Sequence, residues 1–91
     1  MENLKELEIL INDVVGTIIL IVEDEGEFKE NITEFIEKNY NLFVLENKLN
    51  ISIKDIKEKN IALLINMRLM SEGYSVEAIG DETCIKLKAK K

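Results

Sequence analysis

The group of residues best suited to chemistry is an acidic run, Glu23, Asp24 and Glu25, which directly follows an apolar segment. Adjacent carboxylates bind hard divalent cations, and ligands of parallel sheets bind beyond the carboxyl ends of the strands. Glu23 and Asp24 are therefore a candidate site for Mg2+, the one cofactor that the sequence suggests. The competing interpretation is that these acids complement the dipole of the next helix and keep the surface hydrated.

Other catalytic groups are missing or poorly placed. The chain contains no His, which is the commonest general base and the partner of Ser and Cys nucleophiles. A zinc site built from Cys and His is excluded for the same reason. Neither glycine-rich phosphate-binding motif occurs, and Cys84 falls in a predicted strand, where a structural thiol is expected. We therefore expect a protein that is not an enzyme.

Composition indicates one globular domain over residues 1–91, because 46 % of the residues are hydrophobic and 33 % are charged. A single Cys cannot form an internal disulfide, and the N-terminus lacks the basic region of a signal peptide. The longest apolar run, residues 14–22, is too short to span a membrane. These features predict a cytoplasmic protein without a membrane partner.

Charge is distributed unevenly along the chain, whose net charge is −6. Residues 1–46 carry 12 acidic and 3 basic side chains, a net charge of −9, whereas residues 47–91 carry 6 and 9, a net charge of +3. The acidic total disfavours binding to nucleic acid. The division permits head-to-tail self-association, although an ordinary solvated surface is the simpler explanation.

Apolar spacing predicts a helix followed by a strand in the first part of the chain. Residues 4–15 place apolar side chains at helical intervals, and Gly16 suits the left-handed position that ends a helix. An alternating strand over residues 7–11 is the rival interpretation. Residues 17–22 form an apolar, largely β-branched run, which is typical of a strand covered on both faces.

The next segments complete a predicted βαβ unit. Residues 27–39 have the apolar stripe of an amphipathic helix, and residues 42–45 form a second short apolar strand. A strand, a helix and another strand imply a parallel pair of strands joined by a right-handed crossover.

Residues 49–72 fit two structures. One is a single long helix; the other is a helix over residues 50–59 followed by a buried strand over residues 61–65. Gly73 ends the segment in both cases.

Residues 75–79 and 83–89 flank a turn and predict a C-terminal β-hairpin with one solvated face. The expected fold class is therefore α/β (or α+β). Its mixed sheet has four to five short strands, accompanied by about three helices.

Residues 18–30, with the sequence IILIVEDEGEFKE, resemble the opening of a response-regulator receiver domain, and the resemblance extends over residues 18–76. In that family an acidic pair after the first strand binds Mg2+, and an Asp after the third strand accepts phosphate. Asn66 occupies the position of that Asp, and an amide cannot form an acyl phosphate. The resemblance therefore implies a truncated, degenerate receiver that is not phosphorylated.

The C-terminal part resembles a different family, because a helix followed by Gly73 and a basic hairpin is similar to the recognition helix and wing of a winged-helix domain. The resemblance implies nucleic-acid contacts from basic side chains, namely Arg68, Lys86, Lys88 and Lys90. Against it, the chain has a single Arg, although Arg is favoured for reading base edges. The segment before Gly73 is also short for two helices and a turn.

The function expected from the sequence is that of a small, non-enzymatic regulatory or protein-interaction domain, with nucleic-acid binding through the basic hairpin as the alternative. The partner is another protein or a second copy of the chain. A homodimer would use the apolar side of the first helix, formed by Leu4, Leu7, Ile11 and Val14.

Overall fold

The computed structural model describes residues 2–48, 50, 51, 54, 61–79 and 81–88. The helices and strands whose bounds it defines are α1 (Glu2–Glu25), β1 (Glu27–Asn31), α2 (Ile32–Asn39), α3 (Leu42–Asn47), α4 (Ile61–Ser71), β2 (Val76–Ile79) and β3 (Asp81–Lys88).

Helix α1 replaces both the helix and the strand that the sequence predicted over residues 4–22. Its buried positions continue at helical spacing through Val14, Ile18 and Val22, whereas Leu20 is 72 % exposed. The predicted doubly covered strand is therefore wrong, because the periodic burial of one helix face outweighs the strand preference of β-branched residues. Gly26, with a φ of +93°, is the residue that ends the helix; its N–H donates to the Val22 carbonyl at 2.8 Å.

The helix predicted over residues 27–39 begins later, at Ile32. The five residues before it form β1, and Asn31 caps α2 by accepting the Glu34 N–H on its side-chain oxygen at 3.0 Å. Phe28 on β1 packs edge-on against Phe35 on α2, with ring centroids 5.2 Å apart. Phe28 therefore packs with the apolar stripe predicted for residues 27–39, but it lies on a strand and not on the helix.

The second predicted strand, residues 42–45, is also a helix. The side-chain oxygen of Asn41 accepts the N–H groups of Phe43 and Val44, at 2.8 and 3.3 Å, and so caps the start of α3. Leu45 points into the core, whereas Phe43 and Val44 are exposed. The βαβ unit is therefore wrong, because both of its predicted strands lie in helices.

Within the described residues, the sheet has three antiparallel strands in the order β1–β3–β2. Leu87 lies opposite Phe28 on one side and Val76 on the other, which sets the register. The antiparallel pairing of β2 with β3 confirms the predicted hairpin. The mixed sheet of four to five strands is wrong, and the described part of the chain has an α+β fold without a parallel pair.

Two structures fitted residues 61–65, a helix and a buried strand. Helix α4 includes these residues, so the strand is wrong. The alternative helix over residues 50–59 falls mostly outside the described residues. Gly73 ends α4 as predicted, with a φ of +96°. The N–H groups of Gly73 and Tyr74 donate to the carbonyls of Met70 and Leu69, at 3.0 and 3.2 Å, which is the pattern of a Schellman cap.

The core lies between the sheet and the helices. Helix α1 packs against β1 and α4, α2 packs against β1 and β3, and α4 packs against β2 and β3. The sheet contributes Phe28, Ile85 and Leu87 to this core, while Lys29 and Lys88 project from the opposite face and are exposed. The Cα radius of gyration is 12.8 Å, close to the value of about 12 Å expected for a chain of this length.

Candidate interaction surface on helix α4

Helix α4 is apolar on two opposite sides. Its inner side is fully or almost fully buried and consists of Ile61, Ala62, Ile65 and Leu69. Because successive helical residues are rotated by about 100°, the residues between them form a second face. That face, which we call the outer stripe, consists of Leu63, Leu64, Met67 and Met70, which are 44, 39, 54 and 51 % exposed.

A groove runs beside the outer stripe, between α1 and α4, and we call it the α1–α4 groove. It encloses about 580 Å³ and is lined by Leu7, Glu8, Ile11, Leu64, Met67, Arg68 and Ser71. Its lining is predominantly apolar and contains one acidic and one basic side chain. Leu64 and Met67 belong to both the stripe and the groove, so the two features form one continuous surface.

The residues of the predicted interface on α1 are mostly buried. Leu7, Ile11 and Val14 are 7, 8 and 0 % exposed, since they pack into the core of the same chain. The side chain of Leu4 lies outside the described part. Leu7 and Ile11 also form part of the wall of the α1–α4 groove, whereas Val14 is enclosed within the fold.

The two residues of the candidate metal site, Glu23 and Asp24, differ in their surroundings. The Tyr74 hydroxyl donates to Oε2 of Glu23 at 2.6 Å, and Asp24 is exposed. This hydrogen bond is the main cause of a raised pKa at Tyr74, and burial adds to it. No cluster of three or more His, Cys, Asp or Glu side chains with metal-binding geometry occurs among the described residues. Glu23 therefore connects α1 to the end of α4.

The basic side chains of the nucleic-acid alternative do not form a basic patch in the described structure. Arg68 is half-buried on α4, and its Nη1 donates to Oδ1 of Asn12 on α1. Lys86 and Lys88 lie on the outer face of β3, where Lys86 pairs with Lys29 on one side and Glu77 on the other, and Lys88 pairs with Glu27. The fourth residue, Lys90, lies outside the described residues. This face of the sheet consequently has mixed charge.

A second polar cluster ties α1 to the end of α2. The Tyr40 hydroxyl donates to Oδ2 of Asp13 at 2.7 Å, and the Thr17 hydroxyl donates to the Asp13 carbonyl at 2.9 Å. Burial raises the pKa of Tyr40 to about 12; the hydrogen bond and charge of Asp13 reinforce the shift, and a hydrogen bond with Thr17 opposes it. The phenol therefore stays protonated at neutral pH and serves as a hydrogen-bond donor.

Cys84 is a free, half-buried thiol on β3, the strand in which the sequence placed it. Within the part of the chain that the structure describes, no helix combines the length and the hydropathy needed to cross a membrane. No family model matches the chain, and neither a curated protein nor a solved structure matches it.

The outer stripe was missed because residues 61–65 are apolar at every position, so periodicity could not separate a strand from a helix. One signal was available. Leu63, Met67 and Met70 have the i, i+4, i+7 spacing of a helix face, and they are offset from the core residues Ile65 and Leu69. A helix with two such faces is apolar on opposite sides, and that pattern indicates burial of both sides.

Proposed function

We propose that this chain is a non-enzymatic protein-interaction domain, and that its binding surface is the outer stripe of α4 together with the α1–α4 groove. The observation that carries this proposal is the apolar character of both sides of α4. A helix that is apolar all round is normally covered all round. In the described part of the chain the outer side of α4 stays 39–54 % exposed, so a partner protein is the natural cover for it.

The energetics support a partner that removes this surface from water. Burial of apolar surface stabilises a complex by about 25 cal/mol for each Å² removed from water. Contiguous exposed apolar patches on soluble proteins commonly mark interaction sites. Leucine and methionine are also well suited to such a site, since the unbranched Met side chain adapts to the shape of a partner.

Nucleic acid fits the same surface poorly. Its affinity for proteins comes largely from Lys and Arg side chains that neutralise phosphates. The outer stripe carries no charge, and the one Arg on α4, Arg68, is hydrogen-bonded to Asn12. A duplex lying along α4 would meet Leu and Met side chains without gaining phosphate contacts.

Nucleic-acid binding through a winged-helix-like arrangement is the second candidate function. Its support is the order of elements, because α4, the turn at Gly73 and the hairpin of β2 and β3 follow one another as that resemblance implies. Lys86 and Lys88 on the hairpin would supply the phosphate contacts. Both candidate functions involve α4, but only nucleic-acid binding requires Lys86 and Lys88, so substitutions of these lysines separate the two by experiment.

Site-directed photo-crosslinking tests the proposal. A photo-reactive amino acid replaces Met67 on the outer stripe, and a matched protein carries it in place of Leu20, which is more exposed but stands apart on α1. After illumination in native cell extract, we expect discrete protein adducts from position 67 and none from position 20. The substitution Leu63→Glu in the first protein should remove them. Nuclease-sensitive adducts, or equal adducts from both positions, would contradict the proposal.

A further inference from the structure

We infer that the partner of the outer stripe is a second copy of this chain, bound so that the stripe of each copy enters the α1–α4 groove of the other. This inference rests on the proposed function and adds the identity of the occupant. Of the residues that the sequence suggested for a dimer interface on α1, Leu7 and Ile11 line this groove, whereas Val14 is fully buried within one chain.

The shape of the surface supports a two-fold pair. A two-fold interface uses the same patch on both copies, so the patch must be complementary to itself. Here the outer stripe is the exposed apolar face of α4, and the groove of about 580 Å³ lies directly beside it, with Leu64 and Met67 shared by both. In the proposed dimer, a single two-fold rotation therefore places the outer stripe of each copy in the α1–α4 groove of the other. An unrelated partner would have to supply both shapes.

The charges at the groove support the same occupant. Its lining carries one acidic residue, Glu8, and one basic residue, Arg68, in a chain whose net charge is −6. A strongly basic or strongly acidic partner would find no net opposite charge at this site. A second copy in a two-fold arrangement presents a base to each acid and an acid to each base, which is the complementarity that specific interfaces show.

The distribution of exposed apolar residues also favours an interface centred on α4. Eight large apolar side chains are exposed in the described part of the chain, and four of them form the outer stripe. Homodimer interfaces have an apolar centre and a polar rim, as the stripe has with Glu8, Arg68 and Ser71 beside it.

The first test measures molecular mass by sedimentation equilibrium over a range of concentrations. We expect a wild-type mass of twice 10.5 kDa, and a dissociation constant that differs little between low and high salt, because apolar burial is not screened. Met67→Glu should raise the dissociation constant by about 30-fold or more, as the loss of an interface hot spot does. Leu20→Glu is the matched control and should leave it unchanged. Circular dichroism confirms that each variant is folded.

The second test reverses charges at the groove. Glu8→Arg and Arg68→Glu, each alone, place like charges opposite each other twice in a two-fold dimer and should weaken it. A mixture of the two variants places opposite charges together twice, and it should restore the dimer as a heterodimer. Restored association in the mixture still supports the dimer if Arg68→Glu alone also disturbs the hydrogen bond with Asn12.

Three results would overturn the inference: a wild-type protein that is monomeric at every concentration, a dimer that Met67→Glu does not weaken, or a mixture that fails to restore association. The crosslinking experiment separates the two proposals. Adducts of position 67 with a different protein would retain the interaction function and exclude the second copy, whereas the absence of protein adducts would contradict both.

Discussion

Helices α1 and α4 lie against each other, and each buries one side in the same core, yet their solvent sides are very different. Along the described solvent side of α1 the exposed residues are mostly polar or charged, and the most exposed apolar residue, Leu20, has Gly16 and Asp24 as its neighbours one turn away. On α4 the solvent side is the apolar outer stripe. Helix α4 thus completes the core on one side and presents a second apolar face to solvent on the other.

Polar contacts make the same distinction. In the described part of the chain, four side chains of α1 hydrogen-bond to residues outside it, in the pairs Asn12–Arg68, Asp13–Tyr40, Thr17–Tyr40 and Glu23–Tyr74. These contacts orient α1 within the fold. The outer stripe consists of Leu and Met, which have no strong hydrogen-bonding groups, so its specificity must come from shape and from the charges at its rim.

Substitutions on the buried and the exposed side of α1 should differ most in their effect on the free energy of unfolding. Ile18→Asp should abolish folding, because it buries an unpaired carboxylate at a position with no exposure, at a cost of several kcal/mol. That cost is a large fraction of the total stability, about 5–14 kcal/mol for a domain of this size. Leu20→Asp should change the free energy of unfolding by only about 0.5 kcal/mol, since Leu20 is exposed.

Urea melts of the two variants provide the measurement. The pair also decides between the helix and the doubly covered strand that the sequence predicted over residues 17–22. In such a strand both positions are buried, so an unfolded Leu20→Asp protein would favour the strand. A folded Ile18→Asp protein would contradict the assignment of the core.

The strand prediction failed for a physical reason that extends to residues 42–45. Both segments are short and apolar throughout, and short apolar runs suit a strand and a buried helix equally well. Local signals for a helix were present beside each. Asn41 has the side chain of an N-cap, and Gly26 lies where the long helix ends. The hairpin was predictable because Ile85 and Leu87 alternate with lysines, a pattern that only a strand with one solvated face explains.

The candidate site was less predictable than the fold. The sequence predicted Glu23 as a candidate metal ligand. In the structure Glu23 accepts a hydrogen bond from Tyr74, which is 51 residues further along the chain. No local pattern reveals a contact of that kind. The outer stripe was visible in the spacing of its residues, but its exposure depends on which face of α4 the core uses.

The second effect compares the two sides of α4. Ile65→Ala should lower the free energy of unfolding by about 2–5 kcal/mol, because it leaves a cavity in the core. Met67→Ala should change it by about 0.5 kcal/mol or less, since the side chain is exposed in a single copy. Urea melts at a concentration below the dissociation constant of the dimer measure these values without a contribution from association. Equal losses would mean that the outer stripe is buried within one chain.

A third and smaller effect tests the continuity of α1. Gly16 lies in the middle of this helix on its exposed side, and a Cβ added there would meet nothing within 4 Å. Gly16→Ala should therefore raise the free energy of unfolding by about 0.5–1 kcal/mol, because alanine loses less conformational freedom in a helix. Gly26→Ala is the matched control and should lower the free energy of unfolding, since the φ of Gly26 is +93° and residues other than glycine rarely adopt that conformation. A destabilising Gly16→Ala would indicate that α1 is interrupted at that residue.

The last effect is confined to alkaline pH and concerns the polar side of α1. The pKa of Tyr40 rises from an ordinary value of 10.0 to about 12 in the folded chain, mainly because of burial. The folded state then holds the phenolic proton more tightly than the unfolded state does. The resulting stabilisation is fully present below pH 10 and is lost as the pH rises from 10 to about 12.

The comparison of wild type with Tyr40→Phe isolates this contribution, because lysines titrate in the same range in both proteins. Phenylalanine keeps the ring but has no proton to lose. We expect the difference in free energy of unfolding between the two proteins to shrink between pH 9 and pH 12, as measured by urea melts at each pH. A constant difference would mean that Tyr40 has an ordinary pKa and that the contact with Asp13 does not hold α1 in place. The outer stripe has no titrating group, so mutations there should leave this pH dependence unchanged, as the contrast between the two helices requires.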